Sequence, residues 1–443
     1  MIGTPVAFVF ALVCFAGFAR AGDDRPDPPL PQITQRTFLI TSFGATTRAS
    51  TDVSTSIQKA IDTASAAGGG IVEIPKGQYL SGPFHLASNI DLQLDDGATL
   101  KMLPIDKYPG GTRNPQTFIS GEKLHDIAIT GKGTIDGQGA PWWPLVKKQP
   151  YIRRPRMVAL SGCNRILIEG VTLQNSPMFH IAISGHSTNV TVRGVTIRAP
   201  ASTDAKNPSH NTDACDVSGS HVLIENCDVS VGDDDFTCGG GTSDVLIRNC
   251  TYGFGHGVSV GSPTGGGVSD ITVENCTFKN TECGIRIKSD RGRGGIVQHL
   301  TYRNLQMTNV GIPILIYAEY MARAKEYRDL VDITAPIATT YPSREMSSRT
   351  PVYRDITFSD ITATTAPGQR AGLIWGLPEA PASQILLQNV TITADKPFGI
   401  YNAKGVTMQN CKIITPAEKG KSVSLGNAEV TFSSAATGPD VHE

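Results

Sequence analysis

Three carboxylates stand side by side in Val231-Gly232-Asp233-Asp234-Asp235-Phe236. Such crowding raises the proton affinity of at least one member, so that a carboxylic acid and a carboxylate coexist near neutral pH. That pairing is the equipment for hydrolysing a glycosidic bond, with one group protonating the leaving oxygen and the other serving water or the sugar. A surface turn or a calcium-binding loop would use the same residues, so the neighbours must decide. Asp213 lies 21 residues before Asp234, His256 lies 22 after it, and Arg286 and Lys288 follow 30 and 32 beyond His256. Acid, acid, imidazole, guanidinium and ammonium therefore recur at nearly even intervals. Arg grips a carboxylate bidentately and Lys adds a point charge, so the expected substrate is itself acidic.

The elements that would align these residues are written in a repeat. Ile166-Leu-Ile-Glu-Gly-Val, Val190-Thr-Val-Arg-Gly-Val, Val222-Leu-Ile-Glu-Asn-Cys, Val245-Leu-Ile-Arg-Asn-Cys and Ile271-Thr-Val-Glu-Asn-Cys share one pattern. Leu300, Ile356, Ile385 and Val406 start further copies, and Ile90 and Ile127 start earlier ones. The starts lie 23 residues apart from 222 to 245, 26 from 245 to 271 and 21 from 385 to 406. Period-two strands separated by turn residues, with no helix-length segment, imply stacked coils of a parallel β-helix. The crossover rule favours the right-handed form. One coil then matches each interval in the charged series, and the series becomes a strip with steps of about 4.8 Å. An open coil end needs a cover. Ile57, Ala60, Ile61 and Ala64 at helical spacing before Gly68-Gly69-Gly70 predict a capping helix within 54–67. Gaps longer than one coil predict loops near 199–210 and 320–350, which would wall the strip.

The chain as a whole narrows the partners. A formal net charge of −1 gives no global field for nucleic acid or an anionic membrane. The apolar run 6–18 followed by Ala19-Arg20-Ala21 reads as a signal peptide over 1–21, hence a secreted or periplasmic protein. Residues 22–36, rich in Pro and Asp, read as a flexible lead-in, and 37–435 as one catalytic β-helix domain. Cys227, Cys250, Cys276 and Cys411 each follow an Asn at one repeat position, which favours stacked interior thiols over bridges. No Cys-x-x-Cys pair offers a zinc site.

Four short motifs in order make the chain resemble the polygalacturonases of glycoside hydrolase family 28. They are Asn211-Thr212-Asp213, Gly232-Asp233-Asp234, Gly255-His256-Gly257 and Arg286-Ile287-Lys288. Gly133 to Gly139, Trp142-Trp143 and Asn175-Ser176-Pro177 are secondary matches, and the likeness spans about 37–415. The resemblance implies a right-handed β-helix that hydrolyses α-1,4-linked galacturonan with inversion. It implies Asp233 as general acid, and Asp213 and Asp234 as the pair that holds and deprotonates water. His256 would support the acid. Arg286, Lys288 and Tyr320 would bind the sugar on the leaving side of the cut, and Asn211 would position its neighbours. It implies no metal or other cofactor, a galacturonan partner and a monomer. Asp235 departs from the family, which often has a small residue, Asn or Cys there, and reads as a hydrogen-bonding partner behind the pair. Other enzymes on the same scaffold, a rhamnogalacturonan hydrolase or a pectate lyase, and a non-catalytic glycan-binding β-helix are the alternatives.

Several residues carry two readings at this stage. Gly257-Val258-Ser259-Val260-Gly261 matches a nucleophile elbow, but strands on both sides make Ser259 a coil residue. His180 is either a substrate contact or a structural histidine. Trp142 and Trp143 either stack on sugars or pack against a turn. Arg154 and Arg156 either meet acidic sugars across the cut or do not.

Overall fold

The computed structural model describes residues 25–48, 50–149, 151–320, 330–416, 422–433 and 441–442. The signal-peptide reading lies outside the described residues. What is described is a right-handed parallel β-helix, in which nearly every strand pairs in parallel with strands one coil below and one coil above. Each central coil runs through three stacks. In one turn of the chain, Thr242–Arg248 belongs to the first stack, Thr251–Tyr252 to the second and Val258–Val260 to the third.

Burial explains the repeat. Ile129, Ile168, Val192, Ile224, Ile247 and Val273 sit in register, one above another, along the inside of the first stack. Tyr302 and Phe358 continue the column as stacked rings, 5.1 Å between centroids. Every member is essentially inaccessible to water. A single coil could not bury these side chains alone, so the apolar column is the driving force for stacking.

The polar residues of the repeat are explained by the corners. Asn89, Asp126, Asn189, Asp244, Asp270 and Asp355, each one residue before the apolar position that opens a repeat, have φ between 55° and 62°. So do Asn249, Asn275 and Asn389 after the apolar run, at 55° to 57°. Asn and Asp tolerate this left-handed conformation better than other non-glycine residues. The four Asn-x-Thr sequons begin at Asn189, Asn249, Asn275 and Asn389, all of them in this left-handed conformation. Their amides also ladder between coils, as Asn304 Nδ2 donates to Asn275 Oδ1 at 2.6 Å and Asn410 Nδ2 to Asn389 Oδ1 at 2.7 Å. The described cysteines are all free thiols, and Cys227, Cys250 and Cys276 are buried in one column, as expected.

The capping helix is Ser54–Ala66, and Ile57, Ala60, Ile61 and Ala64 are its buried face. Trp142 and Trp143 pack rather than face solvent. Trp142 meets Tyr108 edge-on, and Trp143 Nε1 donates to the Ser176 carbonyl at 3.0 Å. Residues 330–341 of the long excursion bury Leu330, Val331, Ile333 and Ala338 against Tyr317, Trp375 and Tyr401. This covers the outward face of the third stack beyond the strip.

The lead-in needs correction. From Arg25 onward it is a docked strap across the coils, not a flexible segment. Arg25 Nη1 donates to Asp244 Oδ1 at 2.9 Å, its Nη2 donates to Thr272 Oγ1 at 2.8 Å, and Asp27 pairs with Arg248 at 3.2 Å. Gln32 N–H, five residues later, reaches Asp126 Oδ1 at 2.9 Å. Leu223 and Leu246 point outward from the first stack yet are 2% and 3% exposed, with Pro26 and Pro28 over them. Deleting residues 22–31 should therefore destabilise the protein by about 2–4 kcal/mol, mostly by exposing these leucines. Urea denaturation of the truncated and full mature proteins, read as midpoint at constant slope, checks this.

Candidate active site

The aspartates and the histidine of the series fall at one structural place, the junction that leads into the third stack. Asp213 precedes Cys215–Glu225, Asp233 and Asp234 precede Phe236–Cys238, and His256 precedes Val258–Val260. Backbone bonds seat each junction on the next. Ala214 N–H donates to Asp234 O at 3.0 Å, and His256 N–H donates to Asp233 O at 2.9 Å. The third-stack register then adds Arg286, in one column with Asp216, Thr237 and Ser259. The coil count thus brings Asp213, Asp233, Asp234, His256, Arg286 and Lys288 together, as the spacing predicts.

The aspartate triplet does not follow strand alternation, which would pair Asp233 with Asp235. The chain bends at 232–235, so Asp233 and Asp234 both face His256. Asp235 turns inward, and its Oδ2 accepts from Gly257 N–H at 2.9 Å. This explains why glycines flank His256. A Cβ at Gly255 would stand 2.3 Å from the Asp235 carboxylate, and one at Gly257 would stand 2.2 Å from the Cys283 carbonyl. Burial pushes Asp235 well above the usual carboxylate range, so it is a neutral strut behind the site.

Asp234 is the fixed anion. Lys288 Nζ donates to its Oδ2 at 2.7 Å, Ser259 Oγ donates to its Oδ1 at 2.6 Å, and Arg286 Nη1 stands 3.7 Å away. Asp233 is more accessible, its side chain 16% exposed against 5% for Asp234. The Asn211 N–H and Nδ2 both donate to Asp233 Oδ2, at 3.0 and 3.3 Å. His256 Nδ1 lies 3.2 Å from Asp233 Oδ1, and its Nε2 lies 3.0 Å from Glu282 Oε2. Arg286 Nη1 is 3.0 Å from the same Nδ1, and Arg286 Nη2 donates to Tyr317 Oη at 3.2 Å. Tyr320 lies beneath both cations, its centroid 5.3 Å from Lys288 Nζ and 5.7 Å from Arg286 Cζ.

The protons are distributed unlike the simplest expectation, in which Asp233 itself is pushed up. Burial raises Asp233, but the His256 charge, its hydrogen bond, Lys288 and Arg286 more than offset this and hold it below the usual range. Burial pulls His256 down, while Asp233 and Glu282 push it up to about 10. The Asp233–His256 pair thus holds one proton, which rests on His256 beside the Asp233 carboxylate. The groups pushed upward are Asp213 and Asp216, by burial first and then by neighbouring carboxylates, Asp216 to about 8. In each, Oδ1 is buried without a hydrogen-bond partner, an arrangement that favours the protonated form.

Asp233, Asp234 and His256 present atoms within 4.8 Å of one another, a spacing that could hold a metal ion. The donor set argues against one. A protonated imidazole has no lone pair to give on that side, and the oxygens of Asp234 already face Lys288 and Ser259.

Two of the open readings close. His180 is fully buried and structural, with Nε2 accepting from Ser176 N–H at 3.3 Å, and burial pulls it down to about 4. Arg154 does not meet sugar. It is 8% exposed and donates to the Pro177 carbonyl at 3.0 Å and to Asn211 Oδ1 at 2.7 Å, so it braces the residue that braces Asp233. Four site residues escape the sequence reading: Asp216, Ser259, Glu282 and Tyr317. The first three sit three residues after Asp213, three after His256 and four before Arg286. Period-two alternation counted from the junctions would have flagged Asp216 and Ser259 as outward-facing.

Comparisons with known proteins follow this geometry. The sequence model described as Glycosyl hydrolases family 28 matches residues 66–422. The chain is 30% identical over 347 residues to a polygalacturonase of Juniperus ashei, a match covering 73% of this chain and 63% of that protein, less than two thirds of its length. It is 29% identical over 386 residues to an endo-polygalacturonase of Pectobacterium carotovorum subsp. carotovorum, covering 80% of this chain and 87% of that one. Among solved structures, a hyperthermoactive exopolygalacturonase from Thermotoga maritima superimposes with a TM-score of 0.69 at 25% identity, over 92% of this chain and 94% of that one. The polygalacturonase from Erwinia carotovora ssp. carotovora gives 0.65 at 26%, over 92% and 99%.

Proposed function

The chain belongs to glycosyl hydrolases family 28, the family of the polygalacturonases it resembles, and from that premise we propose that it hydrolyses the α-1,4-galacturonosyl linkages of polygalacturonan with inversion. The observation that carries this is one strip holding an accessible Asp233–His256 pair with one proton, a fixed Asp234 anion and an Arg286–Lys288 clamp.

In this reading Asp233 delivers its shared proton to the leaving oxygen, and the Asp234 carboxylate, with Asp213 beside it, orients and deprotonates water. Oxygens of Asp233 and Asp234 lie within 4.8 Å, closer than the about 6.5–9.5 Å of the usual inverting pair. The water is therefore proposed to sit beside Asp234 towards Asp213, not between the two. Arg286, Lys288 and Tyr320 take the sugar on the leaving side, where two cations suit a uronate carboxylate and the ring gives a stacking face. Asn211 fixes Asp233. The protein is proposed to act outside the cytoplasm as a monomer. Among the described residues no helix is long and apolar enough to cross a membrane.

Wild-type protein incubated with de-esterified polygalacturonan and a chelator is expected to release reducing ends, with product anomers inverted by NMR at early times. Loss of activity with the chelator, or unsaturated products absorbing ultraviolet light, would move the assignment to lyase chemistry. Binding without cleavage would move it to a glycan-binding role.

A further inference from the structure

Glu282 stands on the far side of His256 from the acid. Its N–H is seated on the Gly255 carbonyl at 2.7 Å, so it occupies the junction one coil beyond His256. Its Oε2 lies 3.0 Å from His256 Nε2, and Ser202 Oγ reaches its Oε1 at 3.2 Å from the 199–210 loop. Both side chains of the Glu282–His256 pair are largely buried, at 16% and 14% exposed.

The other ring nitrogen has three charged groups around it. Asp233 Oδ1 is 3.2 Å from Nδ1, Arg286 Nη1 is 3.0 Å away, and Asp234 Oδ1 is 3.7 Å away. Lys288 acts on Asp233 from further off. A carboxylate at Nε2 accepts an N–H, which fixes a proton there. Nδ1 is then the nitrogen that exchanges a proton with Asp233. With the shared proton on Nδ1, Arg286 and the imidazolium face each other as two cations. With the proton on Asp233, the Nδ1 lone pair is open to accept from Arg286 Nη1 or from the acid. Asp233 and Glu282 hold the resting proton on the imidazole, while Arg286 beside Nδ1 opposes it and favours its return to Asp233.

We propose that Glu282 is a positioning residue that fixes the tautomer and orientation of His256, completing an Asp233–His256–Glu282 relay whose outer end is tied to the 199–210 loop through Ser202. This rests on the hydrolase reading above. It follows the orienting logic of a carboxylate behind a catalytic imidazole, here serving an acid instead of a nucleophile.

The relay is tested in two ways, only one of which needs turnover. Histidine-ring NMR of the whole mature protein, with the His256 signals assigned by their loss in His256→Asn, reads tautomer and titration without substrate. Glu282→Gln keeps an acceptor but removes the charge, so the His256 titration should move to lower pH by about one unit or more. With polygalacturonan, kcat of Glu282→Ala should fall by about 10- to 100-fold with little change in KM, and the alkaline limb of Glu282→Gln should move down with the NMR titration. Ser202→Ala should leave the titration in place. An unmoved His256 titration in Glu282→Gln would overturn the relay whatever the activity. An inactive wild type with the NMR shift present would sink the hydrolase reading and leave the positioning intact. A structural role alone would lower the amount of folded protein without moving the titration.

Discussion

Asp233→Asn is expected to lower kcat on polygalacturonan by about 10³-fold or more while KM changes less than about threefold. The amide fills the same space and still accepts from Asn211, whose N–H and Nδ2 both point at Asp233 Oδ2. Binding through Arg286, Lys288 and Tyr320 is untouched. What is lost is the accessible carboxyl at His256 Nδ1, since Asp234 is held by Lys288 and Ser259 and is 5% exposed. A water in its place has neither the position nor the proton affinity for the leaving oxygen. Reducing-end assays over a range of substrate concentration separate the two parameters. Equal activity in both proteins would mean that another carboxyl, with Asp213 and Asp216 first in line, is the acid.

The strip was legible in the sequence because the geometry of a β-helix converts residue count into height. Asp213, Asp234 and His256 are one coil apart by number, and each lies at the same junction in space. The capping helix was legible for the same kind of reason, a local period in Ile57, Ala60, Ile61 and Ala64. Features without a local period were not legible. The bend at 232–235 depends on room beside Gly255 and Gly257, one coil away, into which Asp235 turns. The strap depends on outward-facing Leu223 and Leu246, whose exposure no reading of 22–36 by composition can anticipate. Glu282 looks like any coil residue until the extra residues between His256 and Arg286 are placed, because they leave its junction uncounted. Arg154 stayed open because the sequence does not show its burial, which sends its donors to Pro177 O and Asn211 Oδ1.

Lys288→Met is expected to cost both stability and turnover, and the two losses should separate in a second variant. Lys288 and Asp234 are each 5% exposed and form a 2.7 Å ion pair. Removing one partner leaves a buried carboxylate with Ser259 as its remaining close donor, and such a change typically destabilises by about 3–5 kcal/mol. Asp234 also loses the donor that orients its carboxylate, which should lower kcat by about 10²-fold, while loss of a clamp cation raises KM. Adding Asp234→Asn to Lys288→Met removes the unpaired charge. The double variant should regain most of the lost stability in denaturant titration and none of the activity. Recovery of activity together with stability would show that the pair is structural and that Asp234 does not handle the water. Stability that stays low in the double variant would show that Lys288 is held mainly by the Tyr320 ring, 5.3 Å from its Nζ, and not by Asp234.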